Sequence, residues 1–289
     1  MFLQPVSWEE ALEERLAHPS AIVVAGGTDV LVDVNFERAR PSSMLDLGRV
    51  ASIRQVQQEA NYVRVGAGVT YTELIAGSAA DLPALAMAAR TVGSPPIRNR
   101  GTIGGNLGSA SPAGDCHPPL LAAGATVELA SVHQRRSVPV REFFVGPKHH
   151  VLGRDELISA VRVPRVAGPQ VFTKVGPRNA MVIAVCSFAL SIDGQRHCVG
   201  TGMGSVGPVP LQASGAEHFL EDYLEGSGRW RSREPLEPNA VGRFADLVVG
   251  AARPIDDIRG SAAYRRHALQ VLAKRSVLWC WDDYRGGAR

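Results

Sequence analysis

In the first half of the chain, the spacing of hydrophobic residues changes repeatedly between the spacing typical of helices and the alternation typical of strands. Ser7 and Glu10 have the spacing of a capping box, which predicts a first helix over residues 7–18. The patterns that follow predict, in chain order, strands over residues 21–25 and 43–47, an antiparallel hairpin over 55–69, helices over 71–76 and 83–92, a short helix over 120–123 and paired strands over 126–130 and 137–139. Helices and strands do not alternate regularly, so we expect an α+β fold rather than a doubly wound parallel sheet.

The second half begins after residues 161–169, where two prolines and a glycine are typical of a domain boundary. Beyond it the sequence predicts an antiparallel sheet from residues 171–175, 182–192 and 200–206, a loop over 229–238 and a terminal amphipathic helix over 262–278. The length of 289 residues exceeds the roughly 100–200 residues of one domain, so we expect two domains, or one domain of two lobes with an extension.

Charge and hydropathy exclude several classes of partner. The chain has 31 Lys and Arg against 28 Asp and Glu, and so small a surplus argues against nucleic acid or an anionic membrane as the main partner. No run approaches the ~20 apolar residues that cross a bilayer, and the N-terminus lacks the residue order of a signal peptide. We therefore expect a soluble, cytoplasmic protein without membrane insertion.

The cysteines argue against a metal centre in this chain. Cys116, Cys186, Cys198 and Cys280 form no C-x-x-C pair, and their separations fit neither a zinc site nor a ferredoxin cluster. We expect neither a structural zinc nor an iron–sulfur cluster here.

Two glycine-rich loops dominate the candidate chemistry. The first loop is Ala25, Gly26, Gly27, Thr28 and Asp29. The second loop contains Gly101, Thr102, Ile103, Gly104, Gly105 and Asn106 and continues to Asp115. Glycine lets the backbone approach a ligand closely, and successive amides in such turns bind anions, so two facing loops would hold a diphosphate.

Neither loop matches a common nucleotide fingerprint. No G-x-G-x-x-G directly follows a strand, and there is no G-x-x-x-x-G-K-[ST], which excludes the Rossmann and P-loop interpretations. Ordinary tight turns remain an alternative on the residues alone.

The second loop also carries a resemblance to a known family. The stretch IRNRGTIGGN at 97–106, continued by ASPAGD at 110–115, resembles the second flavin-binding segment of the FAD subunits of molybdenum hydroxylases, the family of carbon monoxide dehydrogenase and xanthine dehydrogenase. AGGTD at 25–29, FTKVGPR at 172–178 and IRGSAAYRR at 258–266 resemble further segments of these subunits in the same order. The similarity extends from about residue 5 to residue 278.

The resemblance implies a fold and a set of site residues. It implies a two-lobed FAD-binding domain of the vanillyl-alcohol-oxidase type over residues 1–165, with lobes of about 1–54 and 55–165, and a smaller α+β domain over 170–289. By position, the first loop would lie against the FAD diphosphate and residues 102–106 would face it. Asp115 would bind the adenosine ribose, and Leu157 or Ile158 would pack on the cofactor. Lys174 would lie near the isoalloxazine ring, where its charge favours reduced, anionic flavin.

In that family a substrate is oxidised at a molybdenum cofactor on a large subunit, and electrons cross iron–sulfur clusters on a small subunit to the FAD subunit. The resemblance therefore implies an FAD-dependent electron-transfer subunit that serves a terminal acceptor, with an iron–sulfur small subunit and a molybdenum-cofactor large subunit as partners. A stand-alone FAD-dependent oxidoreductase acting on its own small substrate stays open. A non-catalytic assembly module that kept the fold is a third interpretation.

Two pairs of titratable residues have plainer interpretations than metal binding. We expect His149 and His150 in a solvated loop, because adjacent side chains tend to point to different sides. Asp256 and Asp257 are expected in a loop ahead of a helix, because acidic residues favour helix N-termini.

Two further pairs are less informative. Cys116 beside His117 is not expected to form a nucleophile with its base, since sequence neighbours seldom have that geometry. Trp279 and Trp281 fit an interface and a packed terminus equally well.

Overall fold

The computed structural model describes residues 1–287, so the last two residues of the predicted C-terminal domain lie outside the described range. Its strands are β1 (Phe2–Leu3), β2 (Ile22–Val24), β3 (Met44–Asp46), β4 (Val56–Gln58), β5 (Tyr62–Gly66), β6 (Thr126–Ala130), β7 (Arg135–Pro139), β8 (Phe144–Gly146), β9 (His149–His150), β10 (Leu157–Pro164), β11 (Gln170–Val175), β12 (Cys186–Asp193) and β13 (Cys198–Gly204). Its helices are α1 (Trp8–Ala17), α2 (Val30–Asn35), α3 (Tyr71–Gly77), α4 (Pro83–Thr91), α5 (Pro95–Arg98), α6 (Ile103–Ser109), α7 (His117–Ala122), α8 (Val140–Phe143), α9 (Ser214–Gly226), α10 (Arg229–Ser232), α11 (Pro238–Ala251) and α12 (Ala262–Gly286), with a 3₁₀ turn at Ala51–Arg54. The α+β prediction is confirmed.

The N-terminal segment forms a small parallel sheet in the order β1-β3-β2. Helix α1 covers this sheet and begins where the sequence predicts, because Ser7 Oγ accepts a hydrogen bond from the Glu10 amide at 3.1 Å. The buried side chains of Ala11 and Leu12 pack with Leu45 into a separate hydrophobic cluster. This small layer carries the first glycine-rich loop at the end of β2.

A five-stranded antiparallel sheet follows, in the order β4-β5-β10-β6-β7. Both predicted hairpins, over 55–69 and 126–139, lie in it. Residues 161–164, which the prolines assigned to a boundary, form instead the second half of central strand β10, where Val161 and Val163 are buried. Pro164 is the last residue of the strand, a position at which proline costs no ladder hydrogen bond, and residues 165–169 of the predicted boundary follow it.

The C-terminal part contains the predicted antiparallel sheet, in the order β11-β12-β13. Helices α9, α11 and α12 cover one face of it around Leu220, Phe244 and Leu269. The predicted loop over 229–238 is wrong, since it contains α10 and the first residue of α11. Pro238 opens α11 because proline at the first helical position needs no amide donor.

Helix α7, which belongs to the N-terminal half, packs directly on strand β13. A Cβ atom at Gly200 would lie 1.9 Å from Ala122 O, and one at Gly202 would lie 2.0 Å from Pro118 O. Ser191 Oγ donates a hydrogen bond to Ala122 O at 2.6 Å across the same contact. The two halves of the chain therefore meet backbone to backbone, which only glycine permits.

Within residues 1–287, no helix is both long enough and apolar enough to cross a membrane. Over the same range, no group of three His, Cys, Asp or Glu side chains is arranged to hold a metal ion.

Candidate cofactor site

A cavity of about 780 Å³ opens where the small parallel sheet, the central sheet and the C-terminal domain meet. Its walls come from the two glycine-rich loops, from the first residues of β10 and from residues 181–183, which precede β12. This volume lies within the range of roughly 300–1,000 Å³ that small-molecule and cofactor sites occupy.

The first loop offers a row of free backbone amides. It connects β2 to α2, and Gly27 adopts a left-handed conformation with φ of 75°. Within residues 1–287, the amides of Gly26, Gly27, Thr28 and Asp29 donate to no acceptor. Consecutive unpaired amides on a turn of this kind form a concavity that binds anions, so this wall suits a phosphate group.

The second loop is built differently, because its first amides are already bonded. Ile103 N donates to Val69 O at 3.1 Å, Gly104 N donates to Ala67 O at 2.9 Å, and Gly105 N donates to the capping hydroxyl of Thr102 at 3.0 Å. The sequence predicted that both loops would present their backbones to a diphosphate. In this structure the amides of Ile103, Gly104 and Gly105 are taken, whereas the first loop has four consecutive amides without an acceptor among residues 1–287.

The two loops are in contact with each other. A Cβ atom at Gly26 would lie 2.1 Å from Arg100 O, so any larger residue would force the loops apart. Gly105 is the opposite case, since a Cβ there would meet only Thr102 Oγ1, at 3.1 Å. Gly26 thus allows the two loops to pack against each other, whereas the absence of a side chain at Gly105 leaves space in the cavity.

Asp115 carries a buried carboxylate oxygen without a partner. Its Oδ2 accepts hydrogen bonds from Lys174 Nζ at 2.5 Å and from Thr91 Oγ1 at 3.0 Å. Its Oδ1 is buried, and no donor among residues 1–287 reaches it. Burial raises the pKa of the Asp115 carboxyl, although the Lys174 ammonium opposes this shift. A buried, unpaired acceptor in a cavity wall is suited to a ligand hydroxyl or N–H.

Most of the predicted site residues line the cavity together. They are Ala25, Gly26, Gly27, Thr28, Asp29, Thr102, Gly104, Gly105, Asn106, Asp115, Leu157 and Ile158. Ile103 does not line it, because the helical turn of α6 directs its side chain into the core, where 1 % of the residue is exposed. Lys174 also stands behind the wall, and its ammonium reaches the cavity only through Asp115.

Several residues of the cavity wall were not predicted from the sequence. Arg15 of α1, Tyr71 of α3 and His150 of β9 contribute to it, as do residues 181–183. These residues come from separate elements and share no local motif, so no short-range pattern could have revealed them. His150 is a correction, because it is half-buried in β9 rather than in a solvated loop, while the neighbouring His149 is exposed.

The remaining candidates are structural. Cys116 and His117 are fully buried beneath the second loop. Burial raises the pKa of the Cys116 thiol well above its usual range and lowers the pKa of His117 to about 4. At neutral pH these groups are a protonated thiol and a neutral imidazole, which form no thiolate–imidazolium pair.

The other two pairs belong to the C-terminal domain. Asp256 Oδ1 accepts a hydrogen bond from the Ala262 amide at 2.5 Å, at the start of α12, which confirms the predicted loop ahead of a helix. Trp281 is buried in the C-terminal core, so it belongs to a packed terminus, whereas Trp279 is half exposed.

Comparisons with known families cover nearly the whole chain. Residues 1–166 match the family described as the FAD binding domain in molybdopterin dehydrogenase. Residues 172–280 match the CO dehydrogenase flavoprotein C-terminal domain. The order of the two matches is the order expected from the sequence.

Individual relatives agree with these matches. The chain is 32 % identical to the nicotine 6-hydroxylase medium subunit of Paenarthrobacter nicotinovorans over 96 % of this chain and 95 % of that protein. It is 30 % identical to the nicotinate dehydrogenase FAD-subunit of Eubacterium barkeri over 99 % and 97 % of the two chains. A chain in the structure of carbon monoxide dehydrogenase from Hydrogenophaga pseudoflava superimposes with a TM-score of 0.88 at 27 % identity, covering 98 % of this chain and 97 % of that chain. The chain therefore belongs to the FAD-binding medium subunits of the molybdenum hydroxylase family, and it is a flavoprotein of an oxidoreductase.

Proposed function

We propose that the cavity holds FAD with its diphosphate against the first glycine-rich loop. The observation that carries this proposal is the row of unpaired amides from Gly26 to Asp29, which faces the cavity with no acceptor in residues 1–287. Such a nest neutralises phosphate oxygens without a lysine side chain. Gly105 supports the same assignment, because its missing side chain keeps the opposite wall clear.

The lining residues differ in exposure, because Leu47 is buried and Arg15 and His150 are partly buried, whereas Ile97, Met181 and Ile183 are exposed. We take the first group as the enclosed end of the cavity and the second group as its open end. We assign the adenine to the enclosed end and the isoalloxazine ring to the open end, because a redox ring has to be reachable by a donor and an acceptor. When bound, FAD supplies a ring that exchanges electrons in steps of one or two.

This assignment changes the role of Asp115. The family resemblance implies Asp115 at the adenosine ribose and Lys174 at the isoalloxazine ring, which are opposite parts of FAD. The Lys174 ammonium lies 2.5 Å from the Asp115 carboxylate, so the two residues serve one end of the cavity. We place both at the open end, where Lys174 holds Asp115 in position and the free Oδ1 accepts a hydrogen bond from the ligand.

The domain limits stay a proposal as predicted, with an FAD-binding domain over residues 1–165, lobes of about 1–54 and 55–165, and a C-terminal domain over 170–289. Their support is the gap between the two family matches, which falls at residues 167–171.

We further propose that the chain takes electrons from the iron–sulfur small subunit of a complex whose large subunit holds the molybdenum cofactor. Relatives are named as a medium chain, a medium subunit and the alpha subunit of a dehydrogenase complex, which supports partners of this kind. The terminal acceptor and the cytoplasmic location stay predictions.

A stand-alone FAD-dependent oxidoreductase remains the second candidate, because a stand-alone enzyme would need the same FAD contacts. The third interpretation is a non-catalytic module that kept the fold. The row of unpaired amides from Gly26 to Asp29 argues against it, because a module that binds no flavin would not need this row.

The first experiment is the visible absorption spectrum of the purified chain, followed by chromatography of the material released by heat. We expect a yellow protein that releases FAD. A colourless chain that takes up no added FAD, alone or with its partners, would refute the cofactor site. Turnover of a small substrate by the isolated chain would favour the stand-alone enzyme.

A further inference from the structure

A second cavity, of about 490 Å³, lies on the polar face of the central sheet. Its wall is formed by side chains of β5, β6, β7 and β10, together with residues of α1 and of the segment 52–57. The alternation along the strands puts Arg64, Glu128 and Arg162 on this face and the buried valines on the other. Ile53 lies in the wall of both cavities, and the other residues of the two walls are different.

The wall of this second cavity is positively charged. Its charged residues are one glutamate, Glu128, and four arginines, Arg64, Arg135, Arg136 and Arg162. Arg136 is neutralised by buried Glu156, to whose two carboxylate oxygens it donates at 2.6 and 2.7 Å. Four arginines against these two glutamates leave a surplus of two positive charges. A surplus of this kind in a concave site attracts anions.

Two of these arginines share one carboxylate. Arg64 and Arg162 lie directly opposite each other on β5 and β10, an arrangement in which like charges destabilise a sheet. Arg64 Nε donates to Glu128 Oε2 at 2.8 Å, and Arg162 Nε lies 3.3 Å from Glu128 Oε1. One carboxylate cannot neutralise two guanidinium groups, so the opposed pair keeps one positive charge that a bound anion would neutralise.

Several hydrogen-bond donors on these arginines have no acceptor. Arg162 Nε is buried, and among residues 1–287 it has no hydrogen-bond partner. Over the same range, the Nη1 atoms of Arg64 and Arg162 and the whole guanidinium of Arg135 donate to no acceptor either. A guanidinium presents its donors in a planar fork that matches the oxygens of a phosphate group. The free donors of this wall are therefore suited to phosphate.

We propose that this second cavity binds the phosphate group of a small molecule. The side chains of Arg64 and Glu128 are only 25 % and 21 % exposed, so the charges are set into the hollow. This position favours a small ligand over the surface of a partner protein. The volume falls within the roughly 300–1,000 Å³ of small-molecule sites. Trp8 and Gln57 belong to the same wall and would contact the remainder of the ligand.

The test is isothermal titration calorimetry of the purified chain carrying its FAD, with inorganic phosphate, pyrophosphate and ADP as ligands. Bound FAD keeps these ligands away from the first glycine-rich loop. Arg162→Gln removes one arginine of the opposed pair and leaves Glu128 paired with Arg64. Arg135→Gln removes a side chain that has no ion pair within residues 1–287, so it leaves the fold intact. Arg141→Gln is the matched control, because Arg141 is 64 % exposed in α8 and belongs to neither cavity wall.

We expect saturable binding to the wild type that Arg162→Gln weakens roughly tenfold or more, as for the loss of hydrogen bonds to a charged group. Arg135→Gln should weaken it by a smaller factor, because its guanidinium is exposed. Arg141→Gln should bind as the wild type does. Tighter binding of ADP than of inorganic phosphate would identify an organic phosphate as the ligand, and equal binding would identify free phosphate.

Three results would overturn this second site. The first is the absence of saturable binding of all three ligands to the wild type. The second is an unchanged affinity in both Arg162→Gln and Arg135→Gln, which would place the bound ligand elsewhere. The third is an equal loss in Arg141→Gln, which would show that the ligands respond to the net charge of the chain rather than to the cavity.

Discussion

Lys174 Nζ lies 2.5 Å from Asp115 Oδ2, and this ion pair joins strand β11 of the C-terminal domain to the loop that precedes α7. Both side chains are at least nine-tenths buried. The pair leaves Asp115 Oδ1 without a donor in residues 1–287 while it fixes the orientation of the carboxylate. Both domains therefore hold this buried acceptor in a fixed orientation.

Asp115→Ala should weaken FAD binding by roughly 1–3 kcal/mol, the usual effect of removing a partner from a buried hydrogen bond. The measurement is a fluorescence titration of the flavin-free protein with FAD. Because the substitution also leaves Lys174 unpaired, the double variant with Lys174→Met is the control. An unchanged dissociation constant, or full recovery in the double variant, would show that Asp115 does not contact the cofactor.

Gly105→Val should abolish flavin binding and leave a folded protein. The added side chain meets only Thr102 Oγ1 at its base and projects into the cavity. Gly215→Val is the matched control, because it lies on the first turn of α9 with no atom within 4 Å of its Cβ position. Circular dichroism shows whether both variants are folded, and their flavin content shows whether they bind FAD. Stoichiometric flavin in Gly105→Val would contradict the assignment of the second loop to the cofactor site.

Gly26→Ala should act through stability rather than by blocking the ligand. Its Cβ would lie 2.1 Å from Arg100 O, and overpacking of this kind typically costs about 1–3 kcal/mol. We expect a lower urea midpoint in the flavin-free protein. Gly77→Ala, at the end of α3 with open space around it, should change the midpoint little or raise it. A normal midpoint in Gly26→Ala would mean that the two loops are not packed against each other.

The stability of the protein should fall as the pH is lowered from about 6.5 to about 4. Burial lowers the pKa of His117 to about 4 in the folded state, whereas the unfolded chain takes up the proton near 6.5. The unfolded state thus binds more protons in this window, and stability rises with pH across it, by about 3 kcal/mol in all. Above pH 6.5 the contribution is complete.

His117→Gln should remove that share of the pH dependence. Burial also lowers the pKa of His150 and raises the pKa of Asp115, so the quantity to compare is the difference between the wild type and the variant at each pH. Parallel urea stability curves between pH 4 and 7 would be inconsistent with a neutral, buried His117 as the source.

The sequence was most informative where a local pattern determines the structure. The capping pair Ser7 and Glu10 and the hairpins of the central sheet are local features, and the structure agrees with them. It was least informative where distant segments meet. Nothing around His150 in the sequence indicates that its side chain reaches the same cavity as Arg15. The bonded amides of the second loop depend on Ala67 and Val69, more than thirty residues away.

The contact between α7 and the glycines of β13 has a consequence for how the protein matures. At this contact the carbonyl groups of Ala122 and Pro118 in α7 occupy the space that side chains at Gly200 and Gly202 in β13 would fill. The interface between the two domains is therefore too closely packed to act as a hinge. Since residues 181–183 of the C-terminal domain line the cavity beside residues of the other domain, the cavity is complete only when the two domains are in contact. A gene split between β10 and β11 would then yield fragments whose cavity lacks the wall of residues 181–183 until they reassociate.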